Sequence, residues 1–148
     1  MARGWDIAVL SLGGVLGVNA RYAVASWMST WAGDRFPWAT FSVNVSGSFA
    51  IGAIATVLAR WHPGSHPARL FFLVGFLGGY TTFSSFAFEG YVLAERGQAA
   101  RAAAYLVGSV MAGMVAVVLG VILGLAIVGR EVPPTVLAAS EHVEGIDE

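Results

Sequence analysis

Cysteine and lysine are both absent from this chain of 148 residues, and only 11% of its residues are charged. Without cysteine there is no disulfide, no zinc–thiolate site and no thiol nucleophile. A soluble domain carries about 25% charged residues, so the shortage of charge excludes an ordinary water-soluble enzyme with a large core. What fills the chain is apolar: 57% of its residues are hydrophobic, and the mean hydropathy is +0.72. Composition therefore predicts an integral membrane protein. The net charge of −1 offers no footing for nucleic acid. Residues 1–130 hold eight arginines and four acids, whereas residues 131–148 hold five acids and no arginine. That acidic end, from Glu131 onward, reads as a solvated, disordered tail without chemistry. A cleavable signal peptide is not expected, because the first apolar run continues past the length of a signal core.

Four apolar segments stand out, at about Ile7–Trp31, Trp38–Trp61, Leu70–Leu93 and Ala102–Val128. Each exceeds the roughly 20 residues needed to cross ~30 Å of hydrocarbon. The expected fold class is an all-α membrane protein, with one four-helix transmembrane domain over residues 1–130. Charges and turn residues gather in the short breaks, at 33–37, 60–69 and 95–98. Short connections make neighbouring helices antiparallel, which puts both termini on one side. Trp5, Trp27, Trp31, Trp38 and Trp61 fall near segment ends, as interfacial anchors do. Arginines barely discriminate the two sides. Arg3, Arg60, Arg69 and Arg130 lie on the side of the termini, and Arg35, Arg96 and Arg101 on the other, joined by Arg21 if it reaches outward. Orientation normally follows an excess of basic residues on one side. This near-balance fits dual insertion with antiparallel pairing, or a single orientation set by one decisive charge.

Small residues recur four apart, as Gly13/Gly17, Ser48/Gly52, Gly75/Gly79, Ser109/Gly113 and Gly120/Gly124. Such faces let helix backbones approach closely in lipid. On the second segment Thr40, Asn44, Ser48, Gly52 and Thr56 form a narrow polar or small stripe. Thr56 is expected to bond its own helix carbonyl. Asn44 carries more donors and acceptors than one helix can satisfy, so it is either glue between helices or a pore ligand. Tyr105, Ser109 and Gly113 repeat the spacing on the fourth segment, as a water-accessible path or, for Tyr105, an interfacial anchor. Arg21 and Glu89 are the two charges within or near the hydrocarbon, where ionisable groups are functional candidates by default. For Glu89, near a segment end, a structural hydrogen bond is the competing reading.

The third segment is the least helix-like. Gly78-Gly79 followed by Thr81-Thr82 is poor helix sequence, and irregular backbone at membrane depth is tolerated only against protein or a polar cavity. A break there would free carbonyl oxygens, hard ligands suited to Na⁺. Phe83 and Phe86, three apart and interleaved with Ser84 and Ser85, face either lipid or the interior. Turned inward, their positive ring edges could meet an anion.

Three motifs carry a family resemblance: Gly13-Gly14-x-x-Gly17-x-x-x-Arg21-Tyr22; Thr40-x-x-Val43-Asn44-x-x-Gly47-Ser48-Phe49-x-x-Gly52; and Gly75-x-x-Gly78-Gly79-x-Thr81-Thr82-Phe83-Ser84-Ser85-Phe86-x-x-Glu89. The sequence resembles the Fluc (CrcB) fluoride channels over roughly residues 9–128. That resemblance implies an antiparallel, dual-topology homodimer in a prokaryotic-type inner membrane, with two pores exporting F⁻ passively. It implies a central structural Na⁺ held by the backbone carbonyls of Gly78 and Thr81. Phe83 and Phe86 would line the pores and Asn44 would donate to fluoride. Tyr105 and Ser109 would form a polar track, with Thr40 and Ser84 beside the path and Arg21 at a vestibule. Ala39, Val18, Ser85 and Gly113 depart from the family's usual residues, and Gly113 leaves the extent of the track open. A proton-coupled multidrug exporter of similar size would need an embedded carboxylate in the first helix, which has Asp6 only at its start. A scaffold subunit would need no polar track. His62, His66 and His142 lie in a loop or the tail with no catalytic constellation around them.

Overall fold

The structure, a computed structural model, describes residues 4–33 and 35–129. The acidic tail, Arg3 and Arg130 lie outside the described residues. The chain is helical throughout, with no strand among them: α1 (Gly4–Ser29), α2 (Trp38–Trp61), α3 (His66–Arg69), a π-helical stretch (Leu70–Leu77), α4 (Gly78–Tyr80), α5 (Phe83–Glu95) and α6 (Ala99–Val128). Four spans are long and apolar enough to cross a membrane, the third running from His66 to Glu95 through α3, the π stretch, α4 and α5. At 1.5 Å rise per residue, spans of this length reach about 36–45 Å. The second span has the bounds read from the apolar pattern. The third begins four residues earlier than expected, because His66-Pro67 starts a short helix with proline in its first turn, where its missing N–H costs nothing.

Turn chemistry closes the spans. Gly97 has a φ of +73° at the end of α5. There the Gln98 N–H bonds the Leu93 carbonyl and the Gly97 N–H bonds the Ala94 carbonyl, at 3.0 and 2.9 Å. Those two bonds are a Schellman cap, which glycine makes without strain.

Packing follows the small residues. α2 lies chiefly against α6, and α1 against the π stretch and α4. At the first crossing a Cβ on Gly120 would collide with the Phe49 carbonyl, and one on Gly52 with the Val117 carbonyl. At the second, Gly13 and Gly17 meet the backbone of Phe71 and Phe76, while Gly79 meets that of Gly14. In hydrocarbon there is no hydrophobic force between helices, so contact of this closeness carries the association. Thr56 is fully buried and donates to the Gly52 carbonyl at 2.8 Å, the local bond expected of it. Much of the outer surface is apolar, including Val107, Met111, Met114 and Val118 on α6.

Candidate functional site

The third span does break within the expected Gly78–Thr82 stretch, at its threonines and not at its glycines. Gly78, Gly79 and Tyr80 are helical, whereas Thr81 and Thr82 are extended, with φ/ψ of −83°/161° and −150°/117°. The glycines therefore serve other ends: Gly79 lets α1 approach, and Gly78 faces open space. Two β-branched residues, which disfavour helix and suit extended backbone, form the break itself. Thr82 then restarts the helix. Its Oγ1 accepts the Ser85 N–H at 3.3 Å and donates to Ser85 Oγ at 3.1 Å, the N-cap arrangement that satisfies an orphan donor of the first turn. A threonine followed three residues later by a hydrogen-bonding side chain is a legible N-cap signal; its place here was hidden by the apolar run around it.

Asn44 clamps the break. Its Nδ2 donates to the Thr82 carbonyl at 3.0 Å, and its Oδ1 accepts the Thr82 N–H at 2.9 Å. One side-chain amide thus replaces the backbone partners that Thr82 lost on leaving the helix. Glue between α2 and the third span is what the geometry displays, with the second N–H of the amide left over for another acceptor. The Thr82 N–H, taken by Asn44, is no longer available to the Gly78 carbonyl four residues before. Gly47, one turn along α2, leaves room for Thr81 and Tyr80 to come in beside it.

A second polar node joins three spans. Glu89 accepts from Thr40 Oγ1 at 2.8 Å and from Tyr105 Oη at 2.7 Å. Thr40 is buried and Tyr105 completely so. Tyr105 is thus an interior residue, not an interfacial anchor. The structural hydrogen bond that stood as the competing reading for Glu89 is present twice over, and its long-range partners carried no signal in the local sequence. The node borders a cleft of about 350 Å³ that also contains Arg21, Thr82 and Ser85. Glu89 also borders a second cleft of about 350 Å³, with Ser29, Phe36, Trp38 and Arg96. Arg21 is half-buried, and no ion pair to it is present among the described residues.

The aromatic pair divides. Phe86 is buried against Tyr105, ring centroids 5.2 Å apart, in a cluster with Leu93 and Ala102. Phe83, 5.8 Å from Phe86, stands 79% exposed. One turn of α6 beyond Tyr105, Ser109 is buried and its Oγ has no hydrogen-bond partner among the described residues. Ser84 is exposed, with Thr82 Oγ1 at 3.5 Å. On the far side of the break a groove of about 310 Å³ is lined by Asn44, Ser48, Gly78, Thr81, Thr82 and Phe83, among others. Gly78 and Thr81 thus share one open face. Among the described residues no cluster of His, Cys, Asp and Glu could hold a metal, so a cation here would depend on backbone oxygens.

The site therefore assembles Asn44, Thr81, Thr82 and Phe83 around the groove, and Thr40, Glu89, Tyr105, Phe86 and Arg21 around the node. A family model described as CrcB-like protein, Camphor Resistance (CrcB), matches residues 8–121. The chain is 45% identical over 116 residues to the fluoride-specific ion channel FluC of Nitrobacter winogradskyi, covering 78% of this chain and 91% of that protein. It is 42% identical over 119 residues to the FluC of Agrobacterium fabrum, covering 80% and 95%. It is 46% identical over 112 residues to the FluC of Sphingopyxis alaskensis, covering 76% and 89%. With four membrane-spanning helices and matches that extend over most of its length, the chain belongs to the CrcB family.

Proposed function

We propose that this multi-pass membrane protein is a fluoride-selective ion channel, not an enzyme, through which F⁻ leaves the cytoplasm passively. Relatives named as fluoride-specific channels at 42–46% identity support the ion. The observation that carries the site is Ser109, a buried hydroxyl without a partner among the described residues, one turn from Tyr105. Buried polar groups are nearly always paired, so an unpaired hydroxyl along a polar track is a donor awaiting a passing acceptor.

Fluoride is small and tightly hydrated. Its path must replace water with close donors and still let the ion go. Thr40, Tyr105 and Ser109 supply hydroxyls from α2 and α6, Ser84 adds another at the start of α5, and the spare N–H of Asn44 points to the same task. Phe86 and Phe83 offer ring edges. Arg21 raises the local anion concentration in its cleft. Glu89 keeps the Thr40 and Tyr105 hydroxyls occupied until an anion competes for them.

Phe83 stands exposed on the outside of the chain, which favours a pore completed by a second subunit. In this reading two copies insert with opposite orientation in the inner membrane of a prokaryotic cell, as the balanced arginines allow, and the dimer holds two pores. The groove at the break is then the meeting face. Its donor set fits Na⁺: hard carbonyl oxygens at Gly78 and Thr81, the former deprived of its helical donor and, apart from its own turn of backbone, with no described atom within 4 Å of where a side chain would begin. A bound Na⁺ would supply positive charge that ties the two breaks together.

Liposomes loaded with fluoride or chloride salts test the function. Fluoride-selective efflux at a fluoride electrode is the expected result, abolished by Phe83→Ile together with Asn44→Asp. Equal chloride flux, or full fluoride flux in that double variant, overturns the reading.

A further inference from the structure

The outward face of α1 has no part in the channel reading except at Tyr22, which also borders the Arg21 cleft. From Leu12, exposed side chains recur at Val15, Asn19, Tyr22 and Ser26, spaced three and four residues apart. That spacing averages 3.5 residues and lays the side chains along one seam, the pattern by which one helix accepts another. Leu12, Val15 and Tyr22 are 58, 59 and 74% exposed. At 3.6 residues per turn, Asn19 stands about 200° around the helix from Gly17, whose own face is closed by Phe76 and Tyr80 of the third span. The seam therefore points away from the third span and from the groove at Gly78.

Asn19 decides what covers it. At 1.5 Å rise per residue it lies within roughly 4 Å of the midpoint of α1, at the deepest level of the hydrocarbon. Its amide donates one N–H to the Val15 carbonyl at 2.7 Å. A primary amide has a second N–H and an acceptor oxygen, and among the described residues neither has a partner. Lipid tails satisfy neither, so this exposure is unfavourable until another polar group covers the site. A free donor and a free acceptor on one side chain are complementary to a second copy of that side chain. We propose that the α1 seam docks against α1 of another copy of this chain, with the two Asn19 amides paired across the contact. Because the seam is separate from the groove, this contact joins channel units side by side. It stands on the α1 face alone, whichever ion the channel carries.

A chain without natural cysteine makes the test direct. In proteoliposomes of the full chain, mild oxidation should link Val15→Cys into covalent pairs. Leu16→Cys, about 100° around the helix, should pair several-fold less. Adding Asn19→Leu to Val15→Cys should lower pairing roughly 3- to 30-fold, the range for a polar pair between helices in lipid. Asn19→Gln, which keeps the amide, should restore part of it. Equal pairing at the two cysteine positions means that lipid covers the seam, and it overturns the proposal even if Asn19→Leu fails to insert. Pairing indifferent to Asn19→Leu overturns it as well.

Discussion

Replacing Asn44 with leucine separates its two possible roles. The amide bonds both the N–H and the carbonyl of Thr82, at 2.9 and 3.0 Å. Leucine has the same branched side-chain skeleton, although it is larger, and it leaves both backbone groups unpaired next to hydrocarbon. Each orphaned group costs about 1–3 kcal/mol, so the clamp is worth about 2–6 kcal/mol, with the lower half more apt because Thr82 is only part-buried. Even about 2 kcal/mol is a roughly 30-fold change in the folding equilibrium. Unfolding of the reconstituted or detergent-solubilised protein by increasing SDS fraction, followed by tryptophan fluorescence, reads this directly. Asn44→Leu should unfold at clearly lower SDS than the parent, and Asn44→Asp should fall between, since a carboxylate still accepts the Thr82 N–H but cannot donate to its carbonyl. If Asn44→Leu unfolds like the parent while fluoride efflux is lost, the amide is an ion ligand only, and the clamp argument is refuted.

Other perturbations test the remaining contacts. A Cβ on Gly17 would strike the Phe76 carbonyl, whereas one on Gly14 would sit 4.0 Å from the Gly75 carbonyl. Gly17→Ala should therefore lose the monodisperse peak in size-exclusion chromatography, backbone overpacking costing about 1–3 kcal/mol or more. Gly14→Ala should be tolerated, and similar behaviour of the two would contradict the α1 crossing. Tyr105→Phe and Thr40→Val each remove one hydroxyl from Glu89, at about 1–3 kcal/mol apiece. Because the two hydroxyls share one carboxyl group, their effects in SDS unfolding should be non-additive; a sum that holds within about 0.5 kcal/mol would mean that the node does not act as a unit.

Several features were legible because they depend on near neighbours in the chain. The four spans follow from apolar run length, the tight crossings from glycines spaced four apart, and the Thr56 bond from one turn of helix. The helix break was legible in kind and as lying within Gly78–Thr82, but not as belonging to the threonines alone. Glycines lower helix propensity, yet at membrane depth a backbone leaves the helix only where its polar groups find new partners. Asn44 offers them to Thr82, and among the described residues no side chain offers them to Gly78, whose N–H stays bonded to the Gly75 carbonyl. The π-helical stretch over Leu70–Leu77 had no sequence signal, and its uniform apolar composition would suit an α-helix equally well.

By itself, the sequence determined that this is a four-span membrane protein, that its third span cannot be a plain helix, and that its motifs are those of the CrcB family. Hydrophobic length and the cost of bare polar groups in lipid leave little freedom on those points. Only the tertiary structure decided which polar groups meet. Thr40, Glu89 and Tyr105 come from three different spans, and Asn44 reaches Thr82 across 38 residues of chain. Such pairings depend on how closely the glycine faces let the helices approach, a property of the packed helices that no local pattern contains. The same packing buries Phe86 and leaves Phe83 outward, although the two stand only three residues apart.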